Sequence, residues 1–272
     1  AGAATARPPQ AAATAPTVLH VRTRILATLI CVVQDAKPIP FPHPLIRGFS
    51  LPLMPTLPPS TLTSGAPLAR ATVALFLLHG RGAGGPGILA LADALDVPAD
   101  WAVVAPQAPR ELGGSWYPHR FTAEVFDNEP WLSQALDAIA QHVAAAEASG
   151  VSSDRIVLAG FSQGACLAAE FALRNARRWG GVLVFSGGLI GPPGTVWNTD
   201  ASLSDTPVLL AGSDNDPHIP LVRVEESGRA FSAAQADVTT DLHRGMQHTI
   251  APASVEAARN LLQASKLQSS VT

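Results

Sequence analysis

One pentapeptide, G-F-S-Q-G at positions 160–164, constrains the fold of this chain more than any other feature. An apolar run at 155–159 precedes it, and a run of helix-favouring residues at 165–173 follows it. This context predicts a sharp strand-to-helix turn, a nucleophile elbow, with Ser162 exposed at its corner. So tight a turn leaves little room for side chains beside the serine, and the two flanking glycines meet that need. The pattern therefore favours a reactive serine over a chance match in a loop.

A serine hydroxyl is a poor nucleophile at neutral pH and needs a histidine base oriented by an acid. In folds with this elbow the three residues follow one another in the chain order Ser, Asp, His. An apolar run at 206–212 predicts another buried strand, and the loop that follows it contains Asp214 and Asp216. Acids placed at the carboxyl end of such a strand can reach the serine. Either aspartate is therefore a candidate for the acid, and the other one is expected to cap the turn.

The base must come from one of eight histidines. A further strand is predicted at 238–242, and the loop after it carries His248 toward the same edge of the sheet. His218 and His243 are the alternatives that the chain order allows, but the first lies two residues past an aspartate and the second closes a strand. We therefore expect His248 to be the base.

Acyl transfer also requires donors that stabilise a negatively charged oxygen. The glycine-rich loop at 79–87 follows a predicted strand at 73–78 and can direct backbone amides toward a ligand. The candidate donors are the backbone N–H groups of Arg81 and Gln163. Because neither the P-loop pattern nor the dinucleotide-binding pattern is present, the loop is not expected to bind nucleotides. The side chains of His79 and Arg81 are assigned no chemistry.

Composition is that of an ordinary globular enzyme. The chain has 272 residues, a net charge of −3 and only 14% charged residues. This balance predicts no nucleic-acid partner. Neither cysteine indicates a disulfide: Cys166 follows Ser162 by four residues on the predicted helix, and Cys31 lies far upstream. No cluster of His, Cys and Asp has metal-ligand spacing, so we expect no metal and no cofactor.

The chain divides into three parts by composition. Residues 1–65 are rich in Pro, Ala and Thr and are predicted to be a poorly ordered leader, 66–265 to be the catalytic domain, and 266–272 to be a tail. The apolar stretch at 22–33 is too short after its arginines to span a bilayer, so no stable membrane insertion is expected. It could act as a signal peptide, but no A-x-A site follows it. We expect a cytoplasmic protein, or a secreted one if this stretch does act as a signal.

Apolar runs alternate with helical stretches throughout 66–265, and this alternation predicts a mostly parallel sheet with helices on both faces. The interval 187–205 is too short to hold a large cap domain, so the site is expected to be open. Loops at the carboxyl edge of such a sheet build the substrate pocket. The candidate walls are Trp116, Tyr117, Leu189 and Ile190. The alternative for the aromatic residues is that they fasten their loop to the core.

Several separate motifs together resemble the phospholipase/carboxylesterase family of the α/β-hydrolase superfamily, which includes the acyl-protein thioesterases. The resemblance covers roughly residues 66–262. It rests on L-H-G-R-G at 78–82, G-S-W-Y-P at 114–118, G-F-S-Q-G-A at 160–165, F-S-G-G at 185–188 and D-P-H-I-P at 216–220.

The resemblance implies an α/β-hydrolase fold and a serine carboxylesterase that forms an acyl-enzyme on Ser162 with short to medium acyl chains. It favours Asp216 as the acid, because the family's acid precedes a Pro-x-hydrophobic-Pro segment. One extra residue after Gly212, compared with the thioesterases, keeps Asp214 as the alternative. An acyl-protein thioesterase or lysophospholipase is the second hypothesis, and an inactive binding protein on this fold is the third. The expected partner is a small ester; the oligomeric state is open, with a homodimer as one candidate.

Overall fold

A computed structural model describes residues 61–265 and residue 267. In this part of the chain seven strands form one sheet, and five helices have ten or more residues. The strands are β1 (Leu62–Gly65), β2 (Val73–Leu78), β3 (Trp101–Ala105), β4 (Ile156–Phe161), β5 (Gly181–Phe185), β6 (Pro207–Ser213) and β7 (Asp237–His243). The helices are α1 (Gly85–Ala94), α2 (Trp131–Ala148), α3 (Gln163–Arg174), α4 (Leu221–Ala233) and α5 (Pro252–Ala264).

The sheet has the order β1-β3-β2-β4-β5-β6-β7 and is parallel except for β1, which pairs antiparallel with β3 at one edge. Every residue of β2, β3 and β5 is buried. Central parallel strands are covered on both faces, so they take continuous apolar sequences such as V-A-L-F-L-L in β2. The mostly parallel sheet predicted from the apolar runs is confirmed.

Helices cover both faces of the sheet, as predicted. Successive side chains of a strand point to opposite faces. In β2, Leu75 belongs to the apolar cluster that includes residues of α1 and α5, whereas Phe76 belongs to the cluster that includes residues of α2, α3 and α4. This arrangement agrees with the α/β-hydrolase fold that the resemblance implies. Between β5 and β6 the chain, which is described throughout, contains no helix or strand, so no large cap covers the sheet edge.

The amino-terminal boundary of the folded part differs from the prediction. Strand β1 falls within the predicted leader 1–65, yet it pairs with β3 along its whole length. Its sequence, L-T-S-G, lacks an apolar run because all four residues are exposed at the sheet edge. The rest of the leader, including the stretch at 22–33, lies outside the described residues. So does the predicted tail, except for Leu267, which is buried. No helix in the described part is both long and apolar enough to cross a bilayer.

Candidate active site

The predicted nucleophile elbow forms at the junction of β4 and α3. Strand β4 ends at Phe161 and α3 begins at Gln163, so Ser162 alone makes the turn, with φ 55° and ψ −120°. Its N–H donates to the carbonyl of Phe185 at 3.0 Å, and its own carbonyl accepts from the N–H of Cys166 at 3.0 Å. A positive φ is unfavourable for a residue with a side chain. These two hydrogen bonds help to hold the strained residue in place.

Two glycines make this turn sterically possible. A Cβ added to Gly160 would lie 2.4 Å from the carbonyl carbon of Gly164, and one added to Gly164 would lie 2.1 Å from the carbonyl oxygen of Leu78. Both distances are far below van der Waals contact with backbone that cannot move aside. The elbow therefore brings α3 directly against the ends of β4 and β2.

Three side chains predicted as the triad meet at the carboxyl edge of the sheet. Nε2 of His248 lies 2.8 Å from Oγ of Ser162, and Nδ1 lies 2.7 Å from Oδ2 of Asp216. The Asp216 side chain is 1% exposed. Because its carboxylate only accepts, Nδ1 of His248 carries the proton and Nε2 is free to accept from the serine hydroxyl.

The second oxygen of Asp216 holds the acid loop itself. Oδ1 accepts from the N–H of His218 at 2.8 Å and from the N–H of Ile219 at 3.0 Å. The carboxylate is thus fixed at both oxygens, and its orientation toward His248 does not depend on the imidazole alone. Asp214 instead accepts from the N–H of Gly245 at 2.7 Å. Of the two candidate acids, only Asp216 contacts His248 within the described chain.

The alternative bases occupy other positions. His218 is exposed, and its ring packs edge-on against that of His248 with 4.8 Å between centroids. His243 places Nε2 3.0 Å from Oδ2 of Asp241 and 2.9 Å from Oγ of Ser254. Since one nitrogen makes both contacts, this second Ser-His-Asp cluster cannot relay a proton through the ring. No group of three or more His, Cys, Asp or Glu residues within 61–265 could hold a metal ion.

Two serines that the sequence analysis did not single out position the loop of His248. The hydroxyl of Ser213 donates to the carbonyl of Met246 at 2.8 Å, and that of Ser186 donates to the carbonyl of Thr249 at 3.0 Å. Both serines lie at or just past strand ends, where their side chains can reach the crossing loop. The signals available in the sequence were their position at the ends of apolar runs and, for Ser186, the F-S-G-G motif at 185–188.

Of the two predicted oxyanion donors, Gln163 follows Ser162 in the chain, and Arg81 belongs to a loop that lies next to Ser162 in space. Gln163 is the first residue of α3, where a backbone N–H has no acceptor inside the helix. Arg81 follows Gly80, whose added Cβ would lie 3.4 Å from Cβ of Ser162. The loop after β2 therefore touches the elbow. The geometry is compatible with both amides facing an oxygen bound at Ser162.

The side chains of His79 and Arg81 serve the loops around the site. Arg81 donates through Nη1 to the carbonyl of Pro118 at 2.8 Å and through Nη2 to that of His119. His79 has Nδ1 2.8 Å from the carbonyl of Gly80 and accepts at Nε2 from the N–H of Ala108 at 3.1 Å. Burial lowers the pKa of His79 below its ordinary value, which favours the neutral ring that both contacts require.

Gln163 has a role that sequence reasoning missed. Its side-chain oxygen accepts from the N–H of Trp116 at 2.9 Å, and its side-chain nitrogen donates to the carbonyl of Tyr117 at 2.8 Å. The indole N–H of Trp116 in turn donates to the carbonyl of His79 at 2.8 Å. The amide of Gln163 therefore clamps the G-S-W-Y-P loop against the elbow helix.

All four residues that were predicted to line the pocket are interior residues. This finding differs from the expectation of an open pocket with these residues as its walls. Trp116 and Ile190 are 1% exposed, and Tyr117 and Leu189 are 0% exposed. The contacts of the two aromatic residues match the alternative considered above, in which they fasten their loop to the core. The Gln163 clamp holds the backbone of both residues, and the bond to His79 fixes the Trp116 ring in the interior.

Leu189 and Ile190 are fixed by buried polar side chains on α3 and α4. Glu170 accepts from the N–H of Ile190 at 2.9 Å, and Arg223 donates to the carbonyl of Leu189 at 2.8 Å. The hydroxyl of Ser227 also accepts from the N–H of Leu189 at 2.9 Å. Buried charges are stable only when their hydrogen bonds are met. Here the backbone of the loop supplies some of these hydrogen-bond partners, and the same hydrogen bonds hold the loop in place.

Comparison with known proteins decides the family. A family model described as Phospholipase/Carboxylesterase matches residues 64–266. The chain belongs to this family. The resemblance noted from its motifs is therefore confirmed, and family membership makes the protein a hydrolase of the esterase and thioesterase kind.

Individual relatives agree with this membership. The chain is 27% identical over 214 residues to acyl-protein thioesterase 1 of Eremothecium gossypii, which covers 71% of this chain and 88% of that protein. It is 30% identical over 118 residues to the protein of the same name from Gibberella zeae, a match that covers 42% of this chain and only half (50%) of that protein's length.

Solved structures give the same result. The crystal structure of a phospholipase/carboxylesterase from Dyadobacter fermentans superposes with a TM-score of 0.70 at 38% identity, over 75% of this chain and 96% of that one. A carboxylesterase from Bacillus cereus, at 23% identity and a TM-score of 0.62, covers 75% of this chain and 93% of its own and shares the fold.

Proposed function

We propose that the protein is a serine carboxylesterase that hydrolyses carboxylic esters with short to medium acyl chains through an acyl-enzyme on Ser162. One observation carries the proposal: the continuous series of hydrogen bonds from Ser162 through His248 to Asp216. A strained serine at a helix start, a neutral imidazole and a buried carboxylate in this order are the parts that acyl transfer to serine requires.

In the proposed reaction His248 takes the proton of Ser162 at Nε2 as the serine oxygen attacks the ester carbonyl. Asp216 holds the ring in the tautomer that can accept this proton and stabilises the imidazolium that forms. The bond between the acyl carbon and the alcohol oxygen then breaks, and His248 gives the proton to that oxygen. Water, deprotonated by the same nitrogen, cleaves the acyl-enzyme and restores the serine.

The backbone N–H groups of Arg81 and Gln163 are the proposed donors to the negative oxygen of each tetrahedral intermediate. Removal of one such donor typically lowers the rate by about 10²- to 10³-fold. Both donors are backbone groups, so a side-chain substitution at Arg81 or Gln163 leaves the donors in place. Such a substitution tests the side-chain hydrogen bonds that hold the surrounding loops.

A second candidate, an acyl-protein thioesterase, is favoured by the similarity to acyl-protein thioesterase 1 of Eremothecium gossypii and of Gibberella zeae. A lysophospholipase is a further form of the same alternative, and both would use the same triad. A strong preference for short esters over thioesters and long-chain lysolipids would count against both.

The test is hydrolysis of p-nitrophenyl esters from acetate to palmitate by wild type, Ser162→Ala and Ser133→Ala. Ser133 is an exposed serine on α2 and serves as the matched control. We expect turnover in wild type and the control, no turnover in Ser162→Ala, and labelling of Ser162 by a fluorophosphonate probe. Ordinary activity in Ser162→Ala would refute Ser162 as the nucleophile, and failure of the probe to label wild type would favour the inactive binding protein.

The remaining expectations stay predictions. They are a cytoplasmic location and a homodimer as the candidate assembly. They also include three expected absences: no nucleic-acid partner, no metal and no cofactor.

A further inference from the structure

An open groove with a volume of about 890 Å³ runs between α1 and α5 on one face of the sheet. We call it the α1/α5 groove. Its lining is mainly apolar and includes small residues on α1 that keep it wide. The main apolar contributions come from Gly87, Ile88, Ala90, Leu91, Ile250 and Val255. At the end away from the elbow, Arg259 on α5 donates to the carbonyl of Ala94 on α1 at 2.8 Å and joins the two helices.

The other end of the groove opens beside the candidate active site. Gly80, Phe161 and Thr249 line it there. A Cβ added to Gly80 would lie 3.3 Å from the Phe161 ring and 3.4 Å from Cβ of Ser162. The Phe161 ring also packs against that of His248, with 4.9 Å between centroids. The residues at this end of the groove are therefore neighbours of Ser162 and His248, and the groove lies on the side of His248.

Several exposed side chains near the site are polar or charged. Arg81 is exposed and bonds to the loop at 116–120, Arg120 is exposed in that loop, and His218 is exposed against His248. Arg120 also contacts the carbonyl of Pro217, at 3.5 Å. None of these residues lines the α1/α5 groove, and the four predicted pocket walls are buried. The α1/α5 groove, by contrast, offers a mainly apolar surface to a long chain of the substrate.

The chemistry decides which part of the ester lies there. His248 must pass its proton to the alcohol oxygen as the bond between that oxygen and the acyl carbon breaks. The alcohol oxygen consequently sits within hydrogen-bond distance of Nε2, on the His248 side of Ser162. The ring of Phe161 packs against that of His248, and Thr249 follows His248 in the chain. These two residues form the mouth of the groove on that side.

We infer that the α1/α5 groove binds the alcohol portion of the substrate, and that the preferred substrates combine a short acyl group with an apolar alcohol chain. This inference rests on the proposed function, whose mechanism it leaves unchanged. Residues 87–94 of α1 extend over about 10 Å, a length that matches a chain of several methylenes. Each methylene that leaves water should raise kcat/KM about fourfold until the groove is filled.

The test compares two ester series with wild-type enzyme: acetates of straight-chain alcohols from ethanol to octanol, and ethyl esters from acetate to octanoate. We expect kcat/KM to rise with alcohol length and to stay flat or fall with acyl length. Gly87→Leu should reduce the dependence on alcohol length, because a Cβ at Gly87 meets nothing within 4 Å and the longer side chain fills the groove. Ala253→Leu, at an exposed α5 position outside the lining, should leave that dependence unchanged.

Each alternative result has a definite meaning. A rise with acyl length that Gly87→Leu abolishes would place the acyl chain in the groove and overturn the inference. Equal rates along both series, or the same loss in Ala253→Leu, would overturn any role of the groove in binding. Hydrolysis of p-nitrophenyl acetate by wild type is measured separately: without it the proposed function itself fails, whereas turnover there with no dependence on alcohol length refutes the groove alone.

Discussion

Asp214 and Asp216 lie two residues apart, yet they hold different parts of the site. Asp214 accepts a 2.7 Å hydrogen bond from the N–H of Gly245, whereas Asp216 binds Nδ1 of His248 at 2.7 Å. The first joins the acid loop to the start of the histidine loop, and the second holds the imidazole. One short segment therefore fixes both the position of the loop and the orientation of the ring.

The pair gives a sharp prediction for isosteric substitutions. Asp216→Asn places an amide donor against the N–H at Nδ1 and favours the wrong tautomer, so we expect kcat to fall by about 10⁴-fold. Asp214→Asn keeps the side-chain oxygen that accepts from Gly245, so kcat should stay within about a factor of three of wild type. The measurement is kcat on p-nitrophenyl acetate with folding checked by circular dichroism. The reverse ranking would make Asp214 the catalytic acid.

The second prediction concerns the glycines of the elbow. A Cβ at Gly164 would lie 2.1 Å from the carbonyl oxygen of Leu78, so Gly164→Ala should lower the free energy of unfolding by more than about 3 kcal/mol or prevent folding. Gly87→Ala is the control: its Cβ meets nothing within 4 Å, and alanine in a helix is favoured over glycine by about 1 kcal/mol. Urea unfolding measures both. A Gly164→Ala variant as stable as wild type would show that the ends of β2 and α3 can separate.

The sheet and the elbow could be predicted from the sequence because each depends on local pattern, whereas Asp216 was preferred to Asp214 only through the family resemblance. Continuous apolar runs identify buried parallel strands. A serine flanked by glycines at a strand-to-helix junction identifies the sharp turn of a nucleophile elbow. Chain order then limits the choice of base and acid. The edge strand β1 has no such pattern, since its four residues are exposed, and it was assigned to the leader.

The pocket could not be predicted in the same way because its walls depend on contacts between distant segments. The backbone of Trp116 and Tyr117 is held by Gln163, which lies more than forty residues away in the chain. Leu189 and Ile190 are held by Glu170 and Arg223 on two different helices. Aromatic and apolar residues in a loop indicate burial or binding equally well, and only the three-dimensional partners distinguish them.

The third prediction concerns Cys166, which lies in α3 one turn after Ser162. Burial raises the pKa of its thiol to about 12, and the thiolate is the reactive form. In a Cys31→Ser background, a disulfide reagent such as DTNB should fail to react with the folded protein at pH 8 and react completely in urea. Rapid reaction under native conditions would contradict the close packing of α3 against the sheet.

The fourth prediction is a loss of stability in mild acid caused by His79 and His142. Burial lowers the pKa of both below the ordinary value of 6.5. Between that value and the lower pKa of the folded state, the unfolded chain binds more protons, so the free energy of unfolding falls as the pH falls. The contribution of each ring is complete above about pH 6.5 and diminishes below it. At pH 5.5 we expect a loss of up to about 1 kcal/mol for each histidine, relative to pH 7.5.

Urea unfolding at the two pH values measures this loss in wild type, His142→Gln and His119→Gln. His142 donates from Nδ1 to the carbonyl of Ala138 at 2.6 Å and has Nε2 2.7 Å from the hydroxyl of Thr61, so glutamine can replace part of both contacts without titrating. The difference between the two pH values should shrink in His142→Gln, whatever that substitution does to stability at pH 7.5. His119 is exposed, and its substitution should leave the difference as it is in wild type. A pH dependence that is identical in all three proteins would mean that His142 titrates alike in the folded and unfolded states, and that the acid sensitivity arises elsewhere.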